Sequence, residues 1–253
     1  MKINKFKILS AGSLVLFVFF WWLIVELFQI REFFLPSPIV VSKSIFLLFF
    51  KGEFVNDIYV SVFRVITGFV VAAIIAVPLG IYMGRVRHVE AIVEPIVDFI
   101  RYTPVPAFIP LFILWFGIGE LEKIVVIAAS VFFQLILMIA NDVSHIPQSV
   151  IHSAQTLGLG HIKIITKVVY PYAKPRIVDD LRISMGWAWA GLIMAEIVGS
   201  SSGIGYVIIQ SQRLLQTSNV MAALVVVGCI GIIIDYSFKY MHKRVFPWAR
   251  NMA

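Results

Sequence analysis

The sequence specifies an all-α, polytopic membrane protein with about six transmembrane helices, and three observations specify it. Of 253 residues, 60% are hydrophobic and only 14% charged, with a mean hydropathy of +0.94. Soluble domains average about 45–50% apolar and about 25% charged residues. So little charge cannot cover a water-facing surface, which excludes a soluble globular protein and a disordered chain alike. Second, apolar runs of roughly 20 residues, one crossing of a ~30 Å hydrocarbon layer, recur along the chain. Third, the basic residues between those runs are unevenly distributed, as loops on the two sides of a membrane are.

The first run, residues 8–28, follows Met1-Lys-Ile-Asn-Lys-Phe-Lys7. A basic start before an apolar stretch also describes a signal peptide. This run exceeds the usual ~7–15-residue signal core and no small-x-small cleavage site follows, so a retained span is expected. Leu35-Pro-Ser-Pro38 then breaks regular structure. Residues 39–50 are apolar but short, which suits a helix lying at the interface. A second span is expected at 65–83 and a third at 96–116. The third is interrupted by Thr103-Pro-Val-Pro106 and Pro110. Prolines so close together cannot sit in an unbroken lipid-facing helix, because every lost backbone bond must be satisfied elsewhere. This stretch should be buried in protein or line a polar path. Spans four to six are expected at 123–140, 183–198 and 220–238, with a turn at Ser200-Ser-Ser-Gly203. The whole chain, 1–253, reads as one transmembrane domain: a first span, a core of spans two to five over 65–200, and a last span.

Placing both termini on one side gives that side fourteen Lys and Arg, from Lys2 to Arg250, against six on the other, with Arg101 left inside the broken third span. The excess marks the cytoplasmic face. The net charge of +7 therefore reflects topology, and no nucleic-acid partner is expected; the partner surface is lipid. Cys229 is the one cysteine, so there is neither an intrachain disulfide nor a cysteine metal cage. His145, His152 and His161 share one loop without a ligand motif, and no metal is expected.

That loop, 142–182, joins spans four and five and is the largest water-facing segment on the basic side. Residues 149–167 contain no proline and carry Val150, Leu157, Ile162, Ile164 and Ile165. The pattern predicts a short helix, a Gly158-x-Gly160 turn and a second helix stopped at Pro171. Such a folded element is either a docking surface for another protein or a solvated amphipathic loop.

Its residues resemble those of a known family. His152-Ser-Ala-Gln-Thr-Leu-Gly158, nine residues, then Val168-Val-Tyr-Pro171 is similar to the signature of binding-protein-dependent ABC importer permeases: Glu-Ala-Ala, three residues, Gly, nine residues, Ile-x-Leu-Pro. Ala154, Gly158 and Pro171 match; His152, Ser153, Val168 and Tyr170 depart from it. Leu35-Pro-Ser-Pro38, Ser61-Val-Phe-Arg64, Glu94-Pro95, Leu114-Trp-Phe-Gly-Ile-Gly-Glu120, Ala195-Glu196 and Ser201-Ser-Gly-Ile-Gly-Tyr206 resemble the nitrate/sulfonate/taurine/bicarbonate branch. The resemblance implies a type I importer fold in which the loop forms a cytoplasmic coupling helix. It also implies an inner-membrane subunit, not an enzyme, that pairs with a second permease copy. Two cytoplasmic ATPases and an extracytoplasmic solute-binding protein would complete the assembly. ATP and Mg would be held by the ATPase, and no cofactor by this chain, which has no G-x-x-x-x-G-K-[ST] loop. Ser153, Ala154, Gln155, Gly158 and Pro171 are the implied ATPase-coupling residues, and the implied solute is a small anion.

Ionisable groups at membrane depth cost roughly 2.5–3.5 kcal/mol by insertion scales and usually face protein or water. Arg101, before the break at Pro104 and Pro106, suits an anionic solute at a half-helix end, or pairs with Asp98 or Glu94. Glu196 either lines the path or a gate, or pairs across a dimer. Trp187, among the small residues Gly186, Ala188, Ala190 and Gly191, marks a path-lining or dimer helix. Arg64 reads as an interfacial anchor, and Glu26 and Asp235 as span-end groups. No dense catalytic set is present, so a membrane-embedded enzyme is disfavoured; a secondary transporter or channel working without an ATPase is the alternative.

Overall fold

The computed structural model describes residues 2–50 and 52–249, and every regular element among them is helical. In chain order these are α1 (Lys2–Leu27), α2 (Pro38–Phe50), α3 (Glu53–Arg85), α4 (Arg87–Arg101), α5 (Ile109–Phe116), α6 (Glu120–Ser144), α7 (Gln148–Thr156), α8 (His161–Ile164), α9 (Tyr170–Ile197), α10 (Ile204–Arg213) and α11 (Thr217–Val245). A short 3-10 turn, Val105–Phe108, precedes α5, and a π turn, Ile165–Val169, joins α8 to α9. Lys51 and Arg250, and the side chains of Lys2, Lys5 and Lys7, all part of the expected charge bias, lie outside the described residues.

Among the described residues, α3, α6 and α11 are long and apolar enough to cross a membrane, and α4 with the 3-10 turn and α5 forms a fourth candidate bent by 89°. The bend falls at Thr103-Pro-Val-Pro106, where two prolines lack the N–H that would continue the ladder. The expected first span lies in α1. The expected fifth forms the C-terminal half of α9, where the charged residues Asp179, Asp180 and Arg182 leave too short an apolar stretch to qualify by composition alone.

One compact unit comprises Val60–Ser200 and Ile230–Ala253. Within it α6 and α9 run antiparallel over a core that includes Ile127, Val131, Leu135, Ala188 and Leu192, each fully buried. Gly191 permits this approach: a Cβ there would lie 2.5 Å from Ser130 Oγ. The pair Gly80 and Gly84 seats α3 on α6 in the same way, against Ile139 and Val143, where a Cβ would come within 2.9 Å. That GxxxG is therefore a real packing face. The other unit comprises Met1–Tyr59 and Ser201–Cys229. There Asp57 Oδ1 accepts from the Gly203 amide at 2.7 Å, and Thr217 Oγ1 donates to the Phe33 carbonyl at 2.6 Å.

One expectation needs correction. Pro171 does not stop a helix. The wider π turn shifts the hydrogen-bond register ahead of it, so Pro171 sits in the first turn of α9, where a missing N–H is tolerated. The residues after the turn at Ser200-Ser-Ser-Gly203 form α10, whose Ile204, Ile208 and Ser211 are buried along one face.

Candidate functional site

The proline break opens a cavity of about 250 Å³. Arg101, Thr103, Pro104 and Pro106 line it from the break, Ser130, Phe133 and Gln134 from α6, and Trp187, Gly191 and Met194 from α9. Four sequence-selected residues, Arg101, Pro104, Pro106 and Trp187, thus meet around one space. Its walls are mainly apolar, with a guanidinium, an amide and hydroxyls as the polar groups. Among the described residues no carboxylate lines it. An apolar hollow of about 480 Å³ shares Val105, Ala129 and Phe133 with it.

Arg101 is half-buried and engaged. Its Nε lies 2.8 Å from Asp98 Oδ1, one helical turn back on α4, and its guanidinium stands 4.7 Å from the centre of the Tyr102 ring. The ion pair expected as an alternative to solute contact is formed with Asp98, and the same side chain also lines the cavity.

Glu196 does not line this cavity. It is fully buried two residues beyond Met194, and it pairs within its own chain. Arg64 Nη1 donates to Glu196 Oε1 at 2.8 Å, and Ser61 Oγ donates to the same carboxylate at 2.7 Å. Arg64 is not an interfacial anchor: only 2% of its side chain is exposed, because its other face meets Glu120. Arg64 Nε donates to Glu120 Oε2 at 2.7 Å, and Nη2 binds Oε1 of the same carboxylate in a fork. Helices α3, α6 and α9 are thereby tied together at the ends remote from the α7–α8 loop. Sequence reasoning missed Arg64 and Glu120 as members of this group.

At the other end, α7 buries Ile151 and Ala154 and exposes His152, Ser153, Gln155 and Leu157. Gly158 follows with φ +78°, a left-handed conformation natural to glycine. Of the coupling set, Ser153, Gln155, Gly158 and Pro171 are exposed. Ala154 points inward and seats the helix. Leu157, 81% exposed, is an apolar projection that was not selected from the sequence.

Beside the loop, polar contacts join α9 to its neighbours: the ion pairs Arg176 to Asp142 of α6 at 3.8 Å and Arg182 to Asp235 of α11 at 3.7 Å, and the approach of Asp179 to the His242 ring of α11 at 3.5 Å. Asp235, expected as a span-end group, also meets Lys239 at 2.5 Å. Asp180, in the loop-side half of α9, is buried, and its Oδ2 has no hydrogen-bond partner. Burial first, then the neighbouring Asp142 and Asp179 charges, push its carboxyl up to about 7, with Arg176 opposing. Among the described residues no group of three His, Cys, Asp or Glu side chains could hold a metal ion.

Comparison with known proteins accords with this arrangement. The chain is 31% identical over 217 residues to the putative aliphatic sulfonates transport permease protein SsuC of Bacillus subtilis, covering 86% of this chain and 79% of that one. It is 29% identical over 245 residues to the taurine transport system permease protein TauC of Escherichia coli, covering 95% and 89%. A putative ABC transporter permease protein of Methanocaldococcus jannaschii is 34% identical over 202 residues, covering 79% and 76%. The fold matches a chain of the inward-facing MetNI methionine ABC transporter with a TM-score of 0.68 at 20% identity, over 78% of this chain and 97% of that one. The family described as binding-protein-dependent transport system inner membrane component matches residues 76–251. This chain belongs to that family, and is the membrane-embedded permease subunit of an ABC importer.

Proposed function

We propose that this subunit forms, with a second copy, the path for a small anion of the sulfonate class, and that ATP and Mg are bound by a separate ATPase chain. An extracytoplasmic binding protein delivers the solute. Both termini and the α7–α8 loop face the cytoplasm, in line with the excess of Lys and Arg on that side. The observation that carries this reading is the meeting of Arg101, Pro104, Pro106 and Trp187 around one cavity at the break in a bent helix. A guanidinium above apolar walls suits an anionic head on a short organic body, and the sulfonate and taurine permeases similar to this chain support that solute class.

The coupling surface is the exposed face of α7 with Ser153, Gln155, Leu157 and Gly158, followed by Pro171 where the chain enters α9. Ala154 holds that face in place from within. Because α8, the π turn and α9 follow one another without an intervening loop, movement of a docked ATPase reaches the cavity wall at Trp187. Glu196 belongs to the gate beyond that wall.

The test is reconstitution of the permease in proteoliposomes with its ATPase and binding protein. ATP-dependent uptake of an alkanesulfonate, with ATPase activity rising when loaded binding protein is added, is the expected result. Uptake that persists without the ATPase would overturn it in favour of a secondary transporter or channel.

A further inference from the structure

The Arg64 cluster lies just past the cavity, at the ends of the helices remote from the loop. Met194 lines the cavity and Glu196 follows two residues later on α9; Val126 lines it from α6, six residues after Glu120. The two carboxylates on Arg64 are unequally placed. Glu196 is fully buried and also receives the Ser61 hydroxyl. Glu120 is 57% exposed at the first position of α6, and the preceding residues Gly117-Ile-Gly119 connect it to α5. Gly117 adopts φ +75° and Gly119 lies extended.

Breaking the inner pair would strand a buried charge, whereas water can take over the exposed carboxylate of the outer one. The inner face of Arg64 is therefore fixed and the outer face releasable. When Glu120 lets go, α3 and α9 remain joined while the corner between α5 and α6 loses its ion pair to α3. That corner carries two walls of the cavity, the Pro104–Pro106 segment through α5 and the Val126–Ser130 segment through α6.

We propose that Arg64 is a two-sided latch on the path: Glu196, itself held by the Ser61 hydroxyl, anchors it to α9, and release of Glu120 opens the Arg101–Trp187 cavity to the side of the membrane opposite the coupling loop. Arg64 and Glu120 are thus positioning residues of the transport cycle. They act on the cavity through the α5–α6 corner and touch no solute. The inference rests on the reading of that cavity as the path.

A single cysteine at the cavity wall reports on it. Ala190→Cys is made in a Cys229→Ser background and studied as the full chain with its ATPase, in sealed vesicles of both orientations. The probe is a membrane-impermeant sulfonated maleimide. Labelling from the side opposite the loop is expected to be low, to rise several-fold with Glu120→Gln, and to fall back with Glu120→Asp. The ratio between the two sides normalises for the amount of folded protein, so a purely structural loss does not move it. An unchanged ratio in Glu120→Gln, with labelling from the loop side intact, overturns the latch and leaves the path reading standing. Absence of labelling from both sides overturns the path reading and the latch with it.

Discussion

Arg64 and Glu196, 132 residues apart in sequence, meet at 2.8 Å with 2% and 0% of their side chains exposed. A buried pair of this kind is weak evidence for net stability, since desolvation offsets most of the attraction. Removing one partner is different, because the other is left charged in a dry site. Glu196→Ala is expected to cost about 3–5 kcal/mol and to lower the amount of protein recovered from membranes. Replacing Arg64 and Glu196 together by Met and Leu should cost much less. Thermal melts of the two variants beside the parent in detergent check this; equal losses in the single and the double variant would contradict it.

The close approach of α6 and α9 rests on Gly191, whose missing Cβ leaves room for Ser130 Oγ. Gly191→Ala should destabilise the protein by about 1–3 kcal/mol through overpacking. Combining it with Ser130→Gly should recover most of that loss. A melt of the double variant no higher than that of Gly191→Ala would show that the contact is not what limits the approach.

Gly158 takes a left-handed backbone on an exposed turn, with open space where a Cβ would go. Gly158→Ala should therefore be tolerated at about 1 kcal/mol, the ordinary penalty for this conformation. Gly158→Trp should fold and insert but fail to retain the ATPase through affinity purification. Unchanged co-purification would remove this turn from the coupling surface.

Asp180 binds a proton more tightly in the folded protein than in the unfolded chain, where its carboxyl titrates near 3.8. The stability it contributes is fully present below about pH 3.8 and is lost as pH rises through about 7. Asp180→Asn is expected to raise the melting temperature relative to the parent at pH 8 and to change it little at pH 4. The difference between the two melts, followed across that window, measures the effect. A flat difference would mean that the folded-state carboxyl titrates in the ordinary range.

Arg101 is held by Asp98 and faces the cavity. If it meets the anion in transit, Arg101→Gln should lower sulfonate uptake roughly tenfold, about 1.4 kcal/mol, while binding-protein-stimulated ATP hydrolysis persists. Restoration by Asp98→Asn in the same chain would instead show that an unpaired Asp98 caused the loss.

What the residues disclosed and what they hid follow one physical line. The break at Pro104 and Pro106 was legible because a missing backbone donor is a local property, and so was the turn at Gly158. The cavity followed from the break, since interrupted backbone needs protein or water around it. Arg64 was misread because its partners are 56 and 132 residues away; beside an apolar run, a buried arginine and an interfacial one look alike. Glu196 was selected for its depth, but the partner that explains it was not. Ala154 matched a motif, and only the packing of α7 showed that it faces inward. Helix α10 did leave a trace, apolar residues at 204 and 208 one turn apart, within a stretch too short and too polar to stand out as a span. Pro171 looked like a stop because an ordinary α-helix would stop there; the π turn before it has no plain sequence mark.

That π turn has a mechanical consequence. From His161 to Ile197 the backbone winds on without a slack segment, and α9 alone is 28 residues long, some 42 Å at 1.5 Å per residue. A stiff rod of that length converts a small angular push at its foot into a displacement of several ångströms at its head. Two places near that foot interrupt the regular ladder: the over-wide turn at residues 165–169 just before α9, and Pro175 within it, which has no N–H to donate. Torque applied at the loop is absorbed there as twist or passed on as tilt, and the stiffness of that short stretch sets the gearing between the two.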